Sequence, residues 1–218
     1  MITGTSGRLG KGKTLSGVID AYTEYLEGRE VFSNIWVDFP HTPIKTPYDF
    51  LGLENGFFLA DELWHLADNR KSMNLLNDVI TIILIRSRKR SFDVFYTQQF
   101  LQIDVRIAFV TDKWIKPRII PPHEECKRLG IPPQYLIQER YNEELKRESP
   151  RIIECAEYCK LYNTEKDPYT LATFISDEQL RKVLTTALEE VKPEYNKIGE
   201  DIKKESVKKR IHTLKSLS

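Results

Sequence analysis

Apolar positions along the first 120 residues follow two rhythms. Short, nearly unbroken runs of apolar and β-branched residues at Met1–Thr3, Val31–Trp36, Phe57–Ala60, Phe92–Thr97 and Ile107–Trp114 predict strands buried on both faces. Between them, Lys13–Leu26 and Asn74 to about Arg88 predict helices. Gly28 closes the first helix as a C-cap glycine, and Pro40, Pro43 and Pro47 keep the next connection irregular. Strands alternating with helices imply an α/β fold, a mainly parallel sheet with helices packed over it.

Beyond that point the rhythm changes. Pro117, Pro121, Pro122, Pro132 and Pro133 cluster where an element would otherwise continue, and proline both fixes φ and removes a donor. The core is therefore expected to span residues 1–120. A linker and helical extension packed on the core is expected over 121–175, with helices around Gln134–Glu148 and Ser149–Leu161. Residues 176–218 are expected to form a basic helical region.

Composition narrows the class. With 40% hydrophobic and 30% charged residues in 218, the chain has the make-up of a soluble globular protein with one full core and a small appendage. The net charge of +1 hides a basic end, since Lys203–Ser218 holds six Lys or Arg against Glu205 alone. Cys126, Cys155 and Cys159 are an odd set, expected as free thiols in a reducing compartment. Cys155 and Cys159 share a helix face and His123 precedes Cys126 by three, but no four-ligand metal spacing exists, so structural cysteines are expected. The first motif begins a few residues from Met1, so no targeting peptide is expected. The longest apolar run, Val79–Ile85, falls far short of a membrane span.

The chemistry starts at Gly7-Arg8-Leu9-Gly10-Lys11-Gly12-Lys13-Thr14, which fits G-x-x-x-x-G-K-[ST] at every fixed position, after a strand and at the start of a helix. Such a loop turns backbone N–H groups and a helix N-terminus toward phosphates. Gly7, Gly10, Lys11, Gly12, Lys13, Thr14 and Leu15 are the candidate nucleotide-binding residues, with Lys13 on the β and γ phosphates and the Thr14 hydroxyl on Mg²⁺. Phe57-Phe58-Leu59-Ala60-Asp61-Glu62 is an apolar strand that ends in two carboxylates. Asp61 is the second candidate Mg²⁺ holder and Glu62 the candidate general base. Phe92–Thr97 ends in Gln98 and Gln99, and Gln98 is the leading candidate for contact with the γ-phosphate or the lytic water, the alternative being a turn cap. Arg86, Arg88 and Arg90 suit a helix C-terminus, yet an arginine lent across a subunit boundary also stabilises phosphoryl transfer. Arg88 is the catalytic candidate among them, with Arg70 and Arg106 as competitors.

Together the P-loop, Asp61-Glu62 and Gln98 after Thr97 resemble the FtsK-HerA superfamily of DNA-pumping ATPases. Ile2-Thr3-Gly4, Gly28-Arg29-Glu30-Val31-Phe32-Ser33-Asn34-Ile35 and Arg88-Lys89-Arg90-Ser91-Phe92-Asp93 are similar to segments of the Zot-type branch. The resemblance covers roughly residues 1–120. It implies a RecA/ASCE-like P-loop NTPase core with a small helical C-terminal extension, ATP and Mg²⁺ as cofactors, and double-stranded DNA as the partner. Zot-type proteins usually carry a membrane segment and none is expected here, a departure that favours the soluble genome-packaging ATPases of internal-membrane icosahedral viruses, including those of archaea. A homo-oligomeric ring, a hexamer, would then work in the cytoplasm or on the virion, beside a capsid or membrane protein of that virion. The competing implications are a Zot-like assembly or secretion ATPase with a membrane partner, and a nucleotide-switched DNA-binding regulator.

The C-terminal third adds a DNA-binding candidate. Asp177–Val191, Tyr195–Ile202 and Glu205–Leu217 fit three short helices of a helix-turn-helix unit, with Ile198, Ile202, Val207, Ile211 and Leu214 inward and Lys208, Lys209, Arg210 and His212 toward DNA. The connection between the second and third helices is about two residues shorter than usual for that motif. A solvated basic tail or a subunit-docking helix is the alternative.

Overall fold

The computed structural model describes residues 1–62, 70–98, 104–163 and 176–204. The chain opens with β1 (Ile2–Ser6), α1 (Lys13–Leu26), β2 (Glu30–Ser33), β3 (Thr42–Pro43), a 3₁₀ turn at Pro47–Gly52 and β4 (Gly56–Ala60). It continues through α2 (Arg70–Lys89), β5 (Asp93–Gln98), α3 (Val105–Val110), β6 (Lys113–Ile120) and α4 (His123–Leu129). Then come β7 (Tyr135–Tyr141), β8 (Arg151–Glu154), a second 3₁₀ turn at Tyr158–Leu161 and α5 (Asp177–Asp201).

All eight strands join one sheet in the order β3-β2-β4-β5-β1-β6-β7-β8, parallel from β3 to β6 and antiparallel at β7 and β8. The α/β fold expected from the two rhythms is what forms, and β5 lies between the P-loop strand and the strand bearing the acid pair. Every residue of β4 is buried, because helices cover both faces there. On one face α1 packs Val18 and Ala21 against Leu59, Phe95 and Ile115. Gly17 allows that approach, since a Cβ there would stand 2.5 Å from Leu59 Cδ1 and 2.8 Å from Phe95 Cδ1. On the other face α2, α3 and α5 bury Val79, Ile83, Ile107, Val183 and Val191 in the largest apolar cluster.

Four segments depart from expectation. Ile107–Trp114 is not one strand: Asp104 caps α3 by accepting from the Arg106 amide, and β6 starts only at Lys113. Pro117 lies inside β6, where it costs no bond to β1, because that pairing stops at Ile115. The helices expected at Gln134–Glu148 and Ser149–Leu161 are instead β7, β8 and the 3₁₀ turn, so the sheet extends well past residue 120. Leu136 and Gln138 alternate into the interior along β7, a period of two that the helix-forming Gln, Glu and Arg residues disguise.

The helices expected at Asp177–Val191 and Tyr195–Ile202 are one continuous helix. Ser176 and Gln179 form its capping box, and Pro193 sits within it at an exposed position. The third expected helix, Glu205–Leu217, lies outside the described residues. Among those described, no helix is long and apolar enough to cross a membrane.

Candidate nucleotide-binding site

The site forms where β1, β4 and β5 end together. Gly7, Gly10 and Gly12 all take positive φ, of 149°, 72° and 89°, which opens the loop between β1 and α1 and aims its backbone inward. Gly12 has a second reason to lack a side chain, because a Cβ would meet Ile119 Cγ2 at 2.7 Å. Lys13 is buried and folds back to donate to the carbonyls of Gly7 (3.0 Å) and Arg8 (3.2 Å), while Leu15 seats the helix start in the core beside Ile119 and Leu136. Burial pulls the Lys13 ammonium below its usual pKa, and the nearby Glu62 and Asp61 carboxylates act against that fall.

Asp61 is the hub. The Thr14 hydroxyl donates to both of its carboxylate oxygens, at 3.0 and 3.1 Å, and the Thr97 hydroxyl donates to Oδ1 at 2.6 Å. Burial raises its pKa; the Thr97 bond is the first force against that rise, the neighbouring Glu62 adds to it, and Thr14 and Lys13 oppose it. Its main chain is held as well. Asn34 Nδ2 donates to the Asp61 carbonyl and the Asp61 amide donates to Asn34 Oδ1, both at 2.7 Å.

Glu62 follows with φ 45°, a left-handed conformation that costs a non-glycine residue roughly 1–2 kcal/mol. Its amide donates to Thr97 Oγ1 at 3.0 Å, so one hydroxyl ties the carboxylate of Asp61 to the backbone of Glu62. Gln98 ends β5 in register with Ser6 of β1, at the mouth of the loop. It is only 4% exposed, and its buried Nε2 has no hydrogen-bond partner among the described residues. A buried amide N–H without an acceptor costs about 1–3 kcal/mol.

The expected residues Lys13, Thr14, Asp61, Glu62 and Gln98 are thus brought together, while Gln99 lies outside the described residues. Sequence reasoning missed Asn34 and the bridging use of Thr97. Their one signal was a small polar residue at the C-terminal end of an otherwise apolar strand.

Arg88, the candidate to be lent across a subunit boundary, lies away from the loop of its own chain. It pairs with Asp112 at 2.8 Å, and Asp112 accepts from the Ile2 amide at the opposite end of β1 from the loop, roughly 15 Å away by strand rise. Arg86 is buried, bound to Glu190 and to the Phe50 and Leu51 carbonyls, and Arg90 also binds Glu190. Arg106 is held by Asp104, Asp78 and Tyr195. These cations serve helix packing within one chain, because α2 runs from the loop edge of the sheet back to the far edge. The Arg70 side chain lies outside what is described.

No protein-family model and no curated protein matches the chain. Among solved structures it is similar to the N-terminal domain of zonular occludens toxin from Neisseria meningitidis, at 17% identity and TM-score 0.46, covering 74% of this chain and 98% of that one. It is also similar to the genome packaging NTPase B204 from Sulfolobus turreted icosahedral virus 2 in complex with ATP-γS, at 9% identity and TM-score 0.41, covering 71% and 97%. The DNA-packaging ATPase B204 from Sulfolobus turreted icosahedral virus gives 12% identity, TM-score 0.41 and coverage of 70% and 96%.

Proposed function

We propose that the chain binds ATP with Mg²⁺, hydrolyses it, and uses the energy to drive double-stranded DNA into a viral capsid as a ring, a hexamer by family likeness. The observation that carries the hydrolytic half is the meeting of Thr14, Asp61, Glu62 and the unpaired Gln98 amide at one end of the sheet. The DNA half rests on the motif likeness described above.

Each residue has a role its position supports. The glycine loop and Lys13 hold the β and γ phosphates, Lys13 exchanging its loop carbonyls for phosphate oxygens. The Thr14 hydroxyl and Asp61 carboxylate are hard oxygen donors already side by side, a pair that suits Mg²⁺. The cation, when bound, would neutralise charge on the β and γ oxygens. Glu62 takes the proton of a water whose oxygen attacks the γ phosphorus as the bond to the β-bridging oxygen breaks and ADP departs. Gln98 positions that water or reads the γ-phosphate.

The test is the ATPase rate with and without double-stranded DNA, for wild type and Glu62→Gln, across a range of protein concentration. A rate that rises with DNA and with protein concentration, and falls by about 10²–10⁴ in the variant, is expected. A slow rate indifferent to DNA would move a nucleotide-switched regulator or an assembly ATPase ahead of the motor.

A further inference from the structure

Nine arginines of the described chain lie within 4 Å of a carboxylate. Among the described residues Arg8, Arg118 and Arg181 do not, nor does Lys11, and of these Arg8, Lys11 and Arg118 meet at one place. They line an open cleft of about 340 Å³ beside the P-loop, with Gly7, Lys116, Pro117 and Glu139. Glu139 is its one carboxylate; it is already approached by Arg147 at 3.7 Å and sits opposite Lys116 in the β6–β7 register. Arg8, Lys11 and Arg118 against one engaged carboxylate, around a concave surface, focus positive potential and call for an anion.

The alternation of β6 explains the cleft. Ile115 and Ile119 point into the α1 side of the core, and Lys116 and Arg118 therefore point to the other face. That face is covered at Trp114 but left open further along the strand, where Lys116, Arg118 and Ile120 are all exposed. The cleft lies beyond β1 from the acid pair, because the sheet runs β4-β5-β1-β6. Lys13 turns back onto the Gly7 and Arg8 carbonyls, whereas Arg8 and Lys11 line the cleft. Lys116 and Arg118 stand two residues apart on one strand, a line of charge that suits the successive phosphates of a polymer better than one compact group.

We propose that this cleft binds the phosphodiester backbone of the translocated nucleic acid, so that one loop grips both nucleotide and polymer. The inference rests on the DNA reading above and adds the surface that makes the contact. It also gives that reading a short route of coupling, because Arg8 and Lys11 belong to the loop that Lys13 braces.

The experiment is fluorescence anisotropy of labelled double-stranded DNA with the full chain over a series of salt concentrations, for wild type, Lys116→Ala, Arg118→Ala and the double variant. Arg181→Ala removes an exposed arginine on α5, far from the cleft in sequence, and serves as the charge control. Binding of a fluorescent ATP analogue is measured on every variant. Each cleft substitution is expected to weaken DNA binding and to reduce the slope of log K against log salt by about 0.9. Arg181→Ala is expected to leave both unchanged. A double variant that binds DNA as wild type does, or one that loses the nucleotide while keeping DNA, overturns the assignment. A wild-type chain that hydrolyses ATP but binds no DNA removes the DNA reading and this site with it, an outcome distinct from either.

Discussion

Asn34 and Asp61 exchange two hydrogen bonds of 2.7 Å, side-chain amide to main chain, across the ends of β2 and β4. The pair fixes the backbone of the residue that carries the site's central carboxylate. Asn34→Ala leaves the Asp61 amide and carbonyl unpaired at a cost of about 1–3 kcal/mol. If that cost falls on placement of Asp61 and Glu62, turnover drops about tenfold to a hundredfold while KM for ATP stays near wild type. Steady-state kinetics separates the two constants; a rise in KM with unchanged kcat would contradict the positioning role.

Gln98 predicts a trade between stability and activity. Its buried Nε2 lacks an acceptor among the described residues, so Gln98→Met, similar in volume and without polar atoms, removes a penalty. A gain of about 1 kcal/mol, raising Tm by about 2–4 °C, is expected together with slowed hydrolysis. Thermal melts and ATPase assays on the same preparation check both, and a variant that is less stable and equally active refutes the assignment.

Glu190 sets an acid limit. The hydrogen bond from Arg90 above all, helped by Arg86, holds its carboxyl at about 2, below the ordinary 4.5, although burial pushes the other way. A depressed folded-state pKa contributes stability at pH above 4.5 that is lost as pH falls toward 2. Because 34% of the Glu190 side chain is exposed, screening limits the contribution to about 1–2 kcal/mol. Urea melts at pH 7 and pH 3 should show the difference in wild type, and Glu190→Gln should be less stable at pH 7 and show a smaller loss on acidification.

Arg88 is a negative prediction. Its side chain is 65% exposed and pairs with Asp112 at the sheet edge away from the loop. Arg88→Ala should cost under about 1 kcal/mol and leave ATP turnover within about twofold. A fall of a hundredfold or more with nucleotide binding intact would mean that a neighbouring subunit receives this arginine.

What was legible in the chain was chemistry written contiguously. The P-loop, Asp61-Glu62 and Gln98 each carry their meaning within a few residues, because a phosphate cradle or an acid at a strand end fixes local spacing. Asn34 and Thr97 were not legible as latches, since their partner lies 27 and 36 residues away and only sheet order brings them together. The helix at Val105–Val110 was hidden by its strand-like residues, and β7 by its helix-forming ones; in both, burial overrode local preference. The clustered prolines misled in a different way. Pro117 did not end β6, which needs no donor for β1 beyond Ile115, and although β6 does stop before Pro121, the sheet resumes at β7. The DNA contact expected of the basic C-terminal region rests on residues 205–218, outside those described.

The order of elements along the chain has a consequence for biosynthesis. α5, 25 residues long, covers α2 and the turn at Pro47–Gly52, so Leu180, Val183, Ala187 and Val191 close a surface made more than a hundred residues earlier. During translation the apolar flank of α2 and the buried Arg86 wait, uncovered, until Glu190 has left the ribosome. A nonsense or frameshift change after β8 and before residue 176 would therefore yield a product that keeps the whole catalytic end of the sheet yet goes to chaperones or aggregates.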